Sequence, residues 1–117
     1  RKCVNIGSEG GMSVNQNIAL KRKKEEFIIA LRGDLDHHGT QQLRADLEDA
    51  LLACREMRVV FELSEVSFMD SSGIGLLLGR YKALKNRGCS VELRGAQPAV
   101  DKLLAMSGLY QIMKKSA

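Results

Sequence analysis

The chain has 117 residues, the length of one domain, and its residues are 44% hydrophobic but only 4% aromatic, so its core must be aliphatic. No apolar run approaches the roughly 18 residues that a membrane span needs. The net charge of +4 is not accompanied by the aromatic side chains typical of a nucleic-acid-binding surface. We therefore expect no membrane span and no direct DNA contact.

The three cysteines are Cys3, Cys54 and Cys89, and their wide spacing matches neither a disulfide framework nor a metal-binding pair. Free thiols are typical of a reducing compartment, which predicts a cytoplasmic protein. We expect Cys54 and Cys89 to fill space in the core.

The first eleven residues, 1–11, show no apolar periodicity and directly precede Met12. We expect them to be a leader or an added tail rather than native sequence. Residues 12–117 are then predicted to form a single domain.

The first predicted elements are two strands joined by a charged turn. An alternating strand begins at Ile18, and Lys21–Lys24 form its solvated end and the turn. Residues 27–31 are a short apolar run, which is typical of a strand buried on both faces. The polar stretch 33–39 is predicted to be a loop, with Thr40 capping the helix that follows.

Helices and strands then alternate along the chain. The predicted elements are a helix from Leu43 to Cys54, a strand at 59–63, a helix after the loop 64–72, a strand at 90–94 and a helix opened by Pro98. Gly108 stops the last helix, and residues 109–113 form a short final strand or a helical turn.

The order β-β-α-β-α-β-α, with a short C-terminal element, predicts an α/β fold. We expect a mixed, mostly parallel sheet of roughly four or five strands with three or four helices. If strands 27–32 and 58–63 are parallel neighbours, the loops 33–39 and 64–72 leave the sheet at the same end. Two segments far apart in sequence, DLDHHG and FMDSSG, would then share one surface.

The segment Asp70-Ser71-Ser72-Gly73 is compatible with several functions. A serine hydrolase of the α/β class would need Gly-x-Ser-x-Gly, and here an acid replaces the first glycine. A phosphate-binding loop GxxxxGK[ST] is absent. The segment is also typical of a helix N-terminus, where its side chains satisfy free backbone N–H groups. The same helix end could receive a phosphate on Ser71, which would add almost two negative charges beside Asp70.

The triplet Asp36-His37-His38 also occurs in a class of metal-dependent phosphoesterases. A hydrolytic metal site needs further ligands, and the chain has only these two histidines. We interpret the triplet as a polar loop before a helix, and we expect neither a metal nor a cofactor. A small hydrolase that uses Ser71 or Ser72 with one of these histidines remains an alternative.

The helix after Ser72 is predicted to bury Ile74, Leu77, Leu78, Tyr81 and Leu84. This leaves a smooth opposite face made of Ser72, Gly75, Leu76, Gly79, Arg80 and Ala83. Because a glycine inside a helix costs about 1 kcal/mol relative to alanine, this face needs an explanation. The glycines could admit a partner or another part of the same domain, and we expect Leu76 to be partly exposed.

Three segments together resemble a STAS domain: Gly33–Asp36, Phe68–Gly75, and Pro98 with Met106–Leu109. Within that family, the chain is similar to bacterial anti-sigma factor antagonists. Asp36-His37-His38 and Gly79–Lys82 resemble the sporulation branch, the antagonists of the anti-sigma-F factor.

The resemblance implies a switch by phosphorylation. The unphosphorylated protein would bind an anti-sigma factor that is also a serine kinase, and the sigma factor would be released for sporulation transcription. The kinase would then phosphorylate Ser71, and a metal-dependent PP2C-type phosphatase would remove the phosphate. In this scheme the protein is a substrate and not an enzyme.

The resemblance also implies which residues contact the kinase. These are Asp34, Asp36, His37, His38, Asp70, Ser72, Gly73, Ile74, Gly75, Leu76, Gly79 and Arg80. Asp36 is the natural partner for a basic residue of the kinase. An alternative is a STAS module of a scaffold, a transporter or a stress-response pathway.

Overall fold

A computed structural model of the chain describes the backbone of residues 10–15 and all of residues 17–116. Its elements are β1 (Gly10–Asn15), β2 (Ile18–Lys23), β3 (Glu26–Leu35), α1 (His37–Ala53), β4 (Arg58–Met69), α2 (Ser71–Asn86), β5 (Ser90–Arg94), α3 (Pro98–Ser107), α4 (Leu109–Ile112) and β6 (Lys114–Ser116). The strands form one sheet in the order β1-β2-β3-β4-β5-β6. The first two pairings are antiparallel and the other three are parallel.

The predicted α/β architecture and element order are confirmed. Strand β5 has the predicted bounds, and residues 109–113 contribute a helical turn, after which the chain forms the short strand β6. The described residues also add β1, which pairs with β2. Residues 1–9 of the expected leader lie outside the described residues, and its last two glycines open β1.

The two predicted loops are wrong in their bounds. Strand β3 continues through Leu35 and β4 through Met69, so most of 33–39 and 64–72 is strand and helix. The pairing is irregular opposite Ala30–Arg32 and Gly33–Asp34, and the extra residues lie in β4, whose buried positions there are Leu63, Val66 and Met69 instead of alternate residues. Polar residues in a bulged strand give the same sequence pattern as a loop.

The core lies between the sheet and its helices and is mostly aliphatic, but the expectation of a purely aliphatic core is wrong because it also contains two aromatic side chains. Phe27, Ile29 and Phe61 from the sheet are fully buried, as are Leu47 of α1 and Leu77 of α2. Burial of such side chains supplies the main force for folding, at about 25 cal/mol per Å² of apolar surface.

Two cysteines belong to this core, as predicted. Cys54 and Cys89 are free thiols, and both are buried. Each thiol donates a hydrogen bond to the backbone oxygen of Glu56, and burial raises the pKa of Cys54. Cys3 lies outside the described residues.

The opposite face of the sheet carries a charged network. Glu92 is buried between core residues Val91 and Leu93 but points away from them, because side chains alternate along a strand. Arg58 Nε donates a hydrogen bond to Glu92 Oε2 at 2.5 Å, and this bond lowers the pKa of Glu92. Arg58 also bridges to Glu26, with Nη1 3.1 Å from Oε2.

The charged run that begins at Lys21 ends β2 and enters the turn, as predicted. Lys21, Lys23 and Lys24 are exposed, and Lys24 adopts a left-handed backbone conformation with φ of 52°. Within residues 10–15 and 17–116, no helix combines the length and the apolar character needed to cross a membrane.

Candidate functional site

Strands β3 and β4 end together, and this end of the sheet is called the carboxyl edge below. Leu35, the last residue of β3, pairs with Met69, the last residue of β4. The backbone N–H of Asp70 donates to the Leu35 oxygen at 3.4 Å. The prediction that DLDHHG and FMDSSG lie on one surface is therefore confirmed.

Each strand passes directly into a helix through an aspartate cap. Asp36 Oδ1 accepts a hydrogen bond from the Gly39 N–H at 2.7 Å, at the start of α1. Asp70 Oδ1 accepts one from the Ser72 N–H at 2.8 Å, at the start of α2. A carboxylate at this position satisfies a free backbone donor and complements the positive end of the helix dipole.

Asp36, and not Thr40, is the cap of α1, which corrects the sequence prediction. Thr40 lies in the first turn, is buried, and donates its hydroxyl hydrogen to the His37 oxygen at 3.1 Å. Aspartate and threonine both favour helix caps, so residue type alone does not show which of them caps α1. The position where β3 ends decides it.

Ser71 is the first residue of α2, and its side chain is exposed at the carboxyl edge. Ser72, one residue later, is partly buried. Ser71 is therefore the more accessible of the two serines.

The first turn of α1 and the end of β3 add polar side chains to the same edge. Asp34, His37 and His38 are exposed, and Ser67 Oγ donates a hydrogen bond to Asp34 Oδ1 at 3.0 Å. A cleft of about 170 Å³ is lined by Asp34, Asp36 and His38 together with Arg32 and other residues of this edge. Three of the predicted contact residues are thus brought together.

The histidines face their own helix. The Nε2 atoms of His37 and His38 lie 3.3 Å and 3.2 Å from the amide nitrogens of Gln41 and Gln42. Across residues 17–116, we find no group of three His, Cys, Asp or Glu side chains placed to hold a metal ion.

The three glycines of α2 have different surroundings. A Cβ atom on Gly73 would lie 2.6 Å from Met69 Cγ and 2.8 Å from the Leu35 oxygen, so this residue packs directly against the strand ends. A Cβ on Gly75 or Gly79 would meet no described atom within 4 Å. Packing within the described part of the domain explains Gly73 but does not explain the other two.

The expected exposure of Leu76 is wrong. Leu76 is only 6% exposed and belongs to the core cluster. Leu78, predicted to be buried, is partly exposed, while Leu77 and Leu84 are buried as expected. Leu76 therefore lies on the buried side of α2 and does not support an exposed binding face.

The remaining predicted contact residues on α2 are partly accessible. Ile74 is partly buried against the core, and Arg80 is also half-buried. Arg80 Nε is enclosed and has no hydrogen-bond partner among residues 17–116. Arg80 lines a groove between α1 and α2 with Glu48 and Leu52.

Phe68 was not among the predicted contact residues, yet its side chain is 50% exposed near the carboxyl edge. Its neighbour Met69 is buried, so strand alternation places the Phe68 ring on the other side of β4. No clear signal for this is present in the sequence, because Phe68 and Met69 are adjacent apolar residues in an irregular part of β4.

The family model for the STAS domain matches residues 17–116. The chain is 36% identical over 100 residues to the "Anti-sigma F factor antagonist" of Paenibacillus polymyxa, covering 86% of each chain. Two solved structures of SpoIIAA resemble it, one described as the anti-sigma factor antagonist in its unphosphorylated form and the other as a Bacillus cell fate determinant in its phosphorylated form.

The first structure has a TM-score of 0.69 and 34% identity, covering 86% of this chain and 88% of that one. The second has a TM-score of 0.63 and 33% identity, covering 86% and 91%. The family match extends over β2–β6 and so includes β3 and β4, the strands that build the carboxyl edge. The chain therefore belongs to the STAS-domain family, among the anti-sigma factor antagonists.

Proposed function

We propose that this antagonist is a binding protein switched by phosphorylation of Ser71. In the unphosphorylated form it binds an anti-sigma factor that is also a serine kinase, and the sigma factor is released for sporulation transcription. The kinase transfers phosphate from ATP to the Ser71 hydroxyl, which weakens binding. A PP2C-type phosphatase hydrolyses the phosphoserine and restores the binding form.

One observation carries the proposal: Ser71 is exposed at the first position of α2, directly after the cap Asp70. A kinase can reach its hydroxyl without opening the domain. The helix N-terminus favours negative charge, so the phosphate can be accepted without loss of the fold. Phosphorylation of Ser71 would therefore change the binding surface and not the fold.

The charge of the phosphate explains why binding would weaken. Phosphoserine carries about two negative charges at neutral pH. Here they would be added directly after Asp70, at the edge that also carries the cap Asp36, and both aspartates are partly buried. A partner packed closely over Ser71 would have to bury these charges without pairing them, and this is costly.

The open glycines of α2 support a close-packed partner. Gly75 and Gly79 follow Ser71 along the helix, and no described atom of this chain fills the space above them. Their cost of about 1 kcal/mol each is explained if a partner backbone approaches there. The relative named as an anti-sigma F factor antagonist and the phosphorylated SpoIIAA structure support the sporulation assignment and the modification.

Phosphate mapping tests the proposal. The purified chain is incubated with ATP and the anti-sigma factor kinase of the same organism, and the modified residue is located by mass spectrometry. We expect one phosphate on Ser71, none in Ser71→Ala, and an unchanged amount in the matched control Ser72→Ala. Phosphate at another residue, or its absence from the wild type, would overturn the proposal.

A further inference from the structure

The ring of Phe68 is the clearest apolar feature of the carboxyl edge. It is 50% exposed, while Met69 beside it is 6% exposed and belongs to the core. Its register partner on β3 is the exposed residue Asp34. The ring therefore projects from the sheet beside an acid, and it adds little to the packing of the domain.

The position of Phe68 is unusual among the exposed apolar side chains of residues 17–116. The large ones are Leu52, Met57, Phe68, Met106 and Ile112. Leu52 is in the last turn of α1, while Met57 and Ile112 come just before strands β4 and β6. Met106 is in the last turn of α3, a helix that starts from the carboxyl-edge side and leads back toward β6. Phe68 is the only one of the five at the edge that carries Ser71.

The surroundings of Phe68 are acidic, although the chain as a whole carries a net charge of +4. Asp34 pairs with it across the sheet, and Asp70 follows it by two residues. Glu65 is also exposed at the end of β4, with Arg32 as its counterion at 3.7 Å. An aromatic ring bordered by carboxylates fits a partner with an apolar pocket and a basic rim.

We propose that Phe68 is the apolar anchor by which the carboxyl edge docks onto the anti-sigma factor kinase. This inference rests on the proposed function and assigns the partner surface an apolar pocket bordered by Lys or Arg. Ser71 is three positions after Phe68 in the sequence, so their Cα atoms are at most about 11 Å apart. An interface of ordinary size, about 800 Å² on each partner, covers both residues.

The anchor also explains how one phosphate can control binding. Buried aromatic side chains near the centre of an interface contribute most to affinity, and the contacts around them exclude water. Ser71 lies among the contacts that exclude water around Phe68. A hydrated phosphate on Ser71 therefore keeps the surfaces of this protein and the kinase from closing around the ring. The basic rim meets Asp34 and Asp36, while the Ser71 hydroxyl faces the dry part of the contact.

The test compares Phe68→Ala and Phe68→Leu with Met106→Ala, which removes an exposed apolar side chain from another part of the domain. The affinity of each unphosphorylated variant for the purified anti-sigma factor kinase of the same organism is measured by calorimetry. We expect Phe68→Ala to raise Kd at least about tenfold and Phe68→Leu to raise it less. Met106→Ala should stay within about twofold of the wild type.

The possible outcomes separate the role of Phe68 from the proposed function. If the wild type binds and Phe68→Ala binds within about twofold of it, the anchor is wrong while the proposed function stands. If the wild type neither binds nor accepts phosphate, both are wrong. If Phe68→Ala instead abolishes self-association seen by sedimentation, the occupant is a second copy of this chain and the kinase assignment fails. Phe68→Leu keeps the apolar character, so a folded protein remains available for every comparison.

Discussion

Asp36 and Asp70 cap two neighbouring helices from the ends of two paired strands. Their Oδ1 atoms accept backbone N–H groups at 2.7 Å and 2.8 Å, from Gly39 and Ser72. The two caps hold the starts of α1 and α2 at one edge of the sheet. Each cap thus has a structural role in addition to its proposed contact with the kinase.

We expect Asp70→Ala to lower the free energy of unfolding by about 1 kcal/mol, because the Ser72 N–H loses its acceptor. Asp70→Asn keeps an oxygen at the cap and should cost much less stability. Urea unfolding of the two variants measures the difference. Equal stability of Asp70→Ala and the wild type would show that the cap contributes nothing.

Ser71→Asp tests whether charge alone weakens binding. We expect it to raise Kd for the kinase about tenfold or more, because the carboxylate must be desolvated in the contact. Ser71→Asn has nearly the same shape without the charge, and with Ser71→Ala it should keep most of the affinity. If the Asp and Asn variants bind equally well, the mechanism of exclusion by charge is wrong.

The glycines of α2 should respond in opposite directions. We expect Gly73→Ala to lower the free energy of unfolding by about 1–3 kcal/mol, since its methyl group would collide with Met69 and the Leu35 oxygen. Gly75→Ala adds a methyl group in open space and should raise it by up to about 1 kcal/mol. Thermal unfolding measures both changes, and a loss of stability in Gly75→Ala would contradict the open surroundings.

Gly75→Ala also separates stability from binding. Should the kinase approach α2 closely, this stabilised variant will bind it more weakly than the wild type does. Unchanged affinity would place Gly75 outside the contact and would leave its cost in the helix without an explanation.

The pair formed by buried Glu92 and half-exposed Arg58 predicts a dependence of stability on pH. The hydrogen bond from Arg58 lowers the pKa of Glu92 below its usual 4.5 in the folded state. The stabilisation is therefore complete above the unfolded pKa and is lost as the pH falls through the lower, folded pKa.

We expect the difference in unfolding free energy between the wild type and Glu92→Gln to be largest near neutral pH and to shrink below pH 4.5. Asp101 also has a lowered pKa, from its hydrogen bond with Tyr110, but it is present in both proteins and cancels in the difference. Urea unfolding across this range provides the measurement. A difference that stays constant down to about pH 3 would refute the assignment.

The order of elements along the chain and the shared edge could be predicted from the sequence, because apolar runs mark buried strands and glycine or proline marks helix ends. The ends of β3 and β4 could not, since polar residues such as Asp34 and Ser67 in a bulged strand resemble a loop. Local patterns therefore place an element more reliably than they place its last residues.

The periodicity of the sequence also could not determine which side of α2 is buried. Five leucines or isoleucines between Ile74 and Leu84 leave more than one possible buried stripe. Tertiary packing decides between them by burying Leu76 and leaving Leu78 partly exposed. Which glycine is packed and which is open followed only from the three-dimensional arrangement, since Gly73, Gly75 and Gly79 have similar sequence neighbours.

The contact between Gly73 and the strand ends has a consequence for how the two forms of this protein can be told apart. The first turn of α2 has no space for even one methyl group against Leu35, so it has little freedom to tilt. A phosphate on Ser71 would change the charge at a fixed place and leave the outline of the molecule as it is. The two forms should then give the same small-angle scattering profile while separating by native electrophoresis.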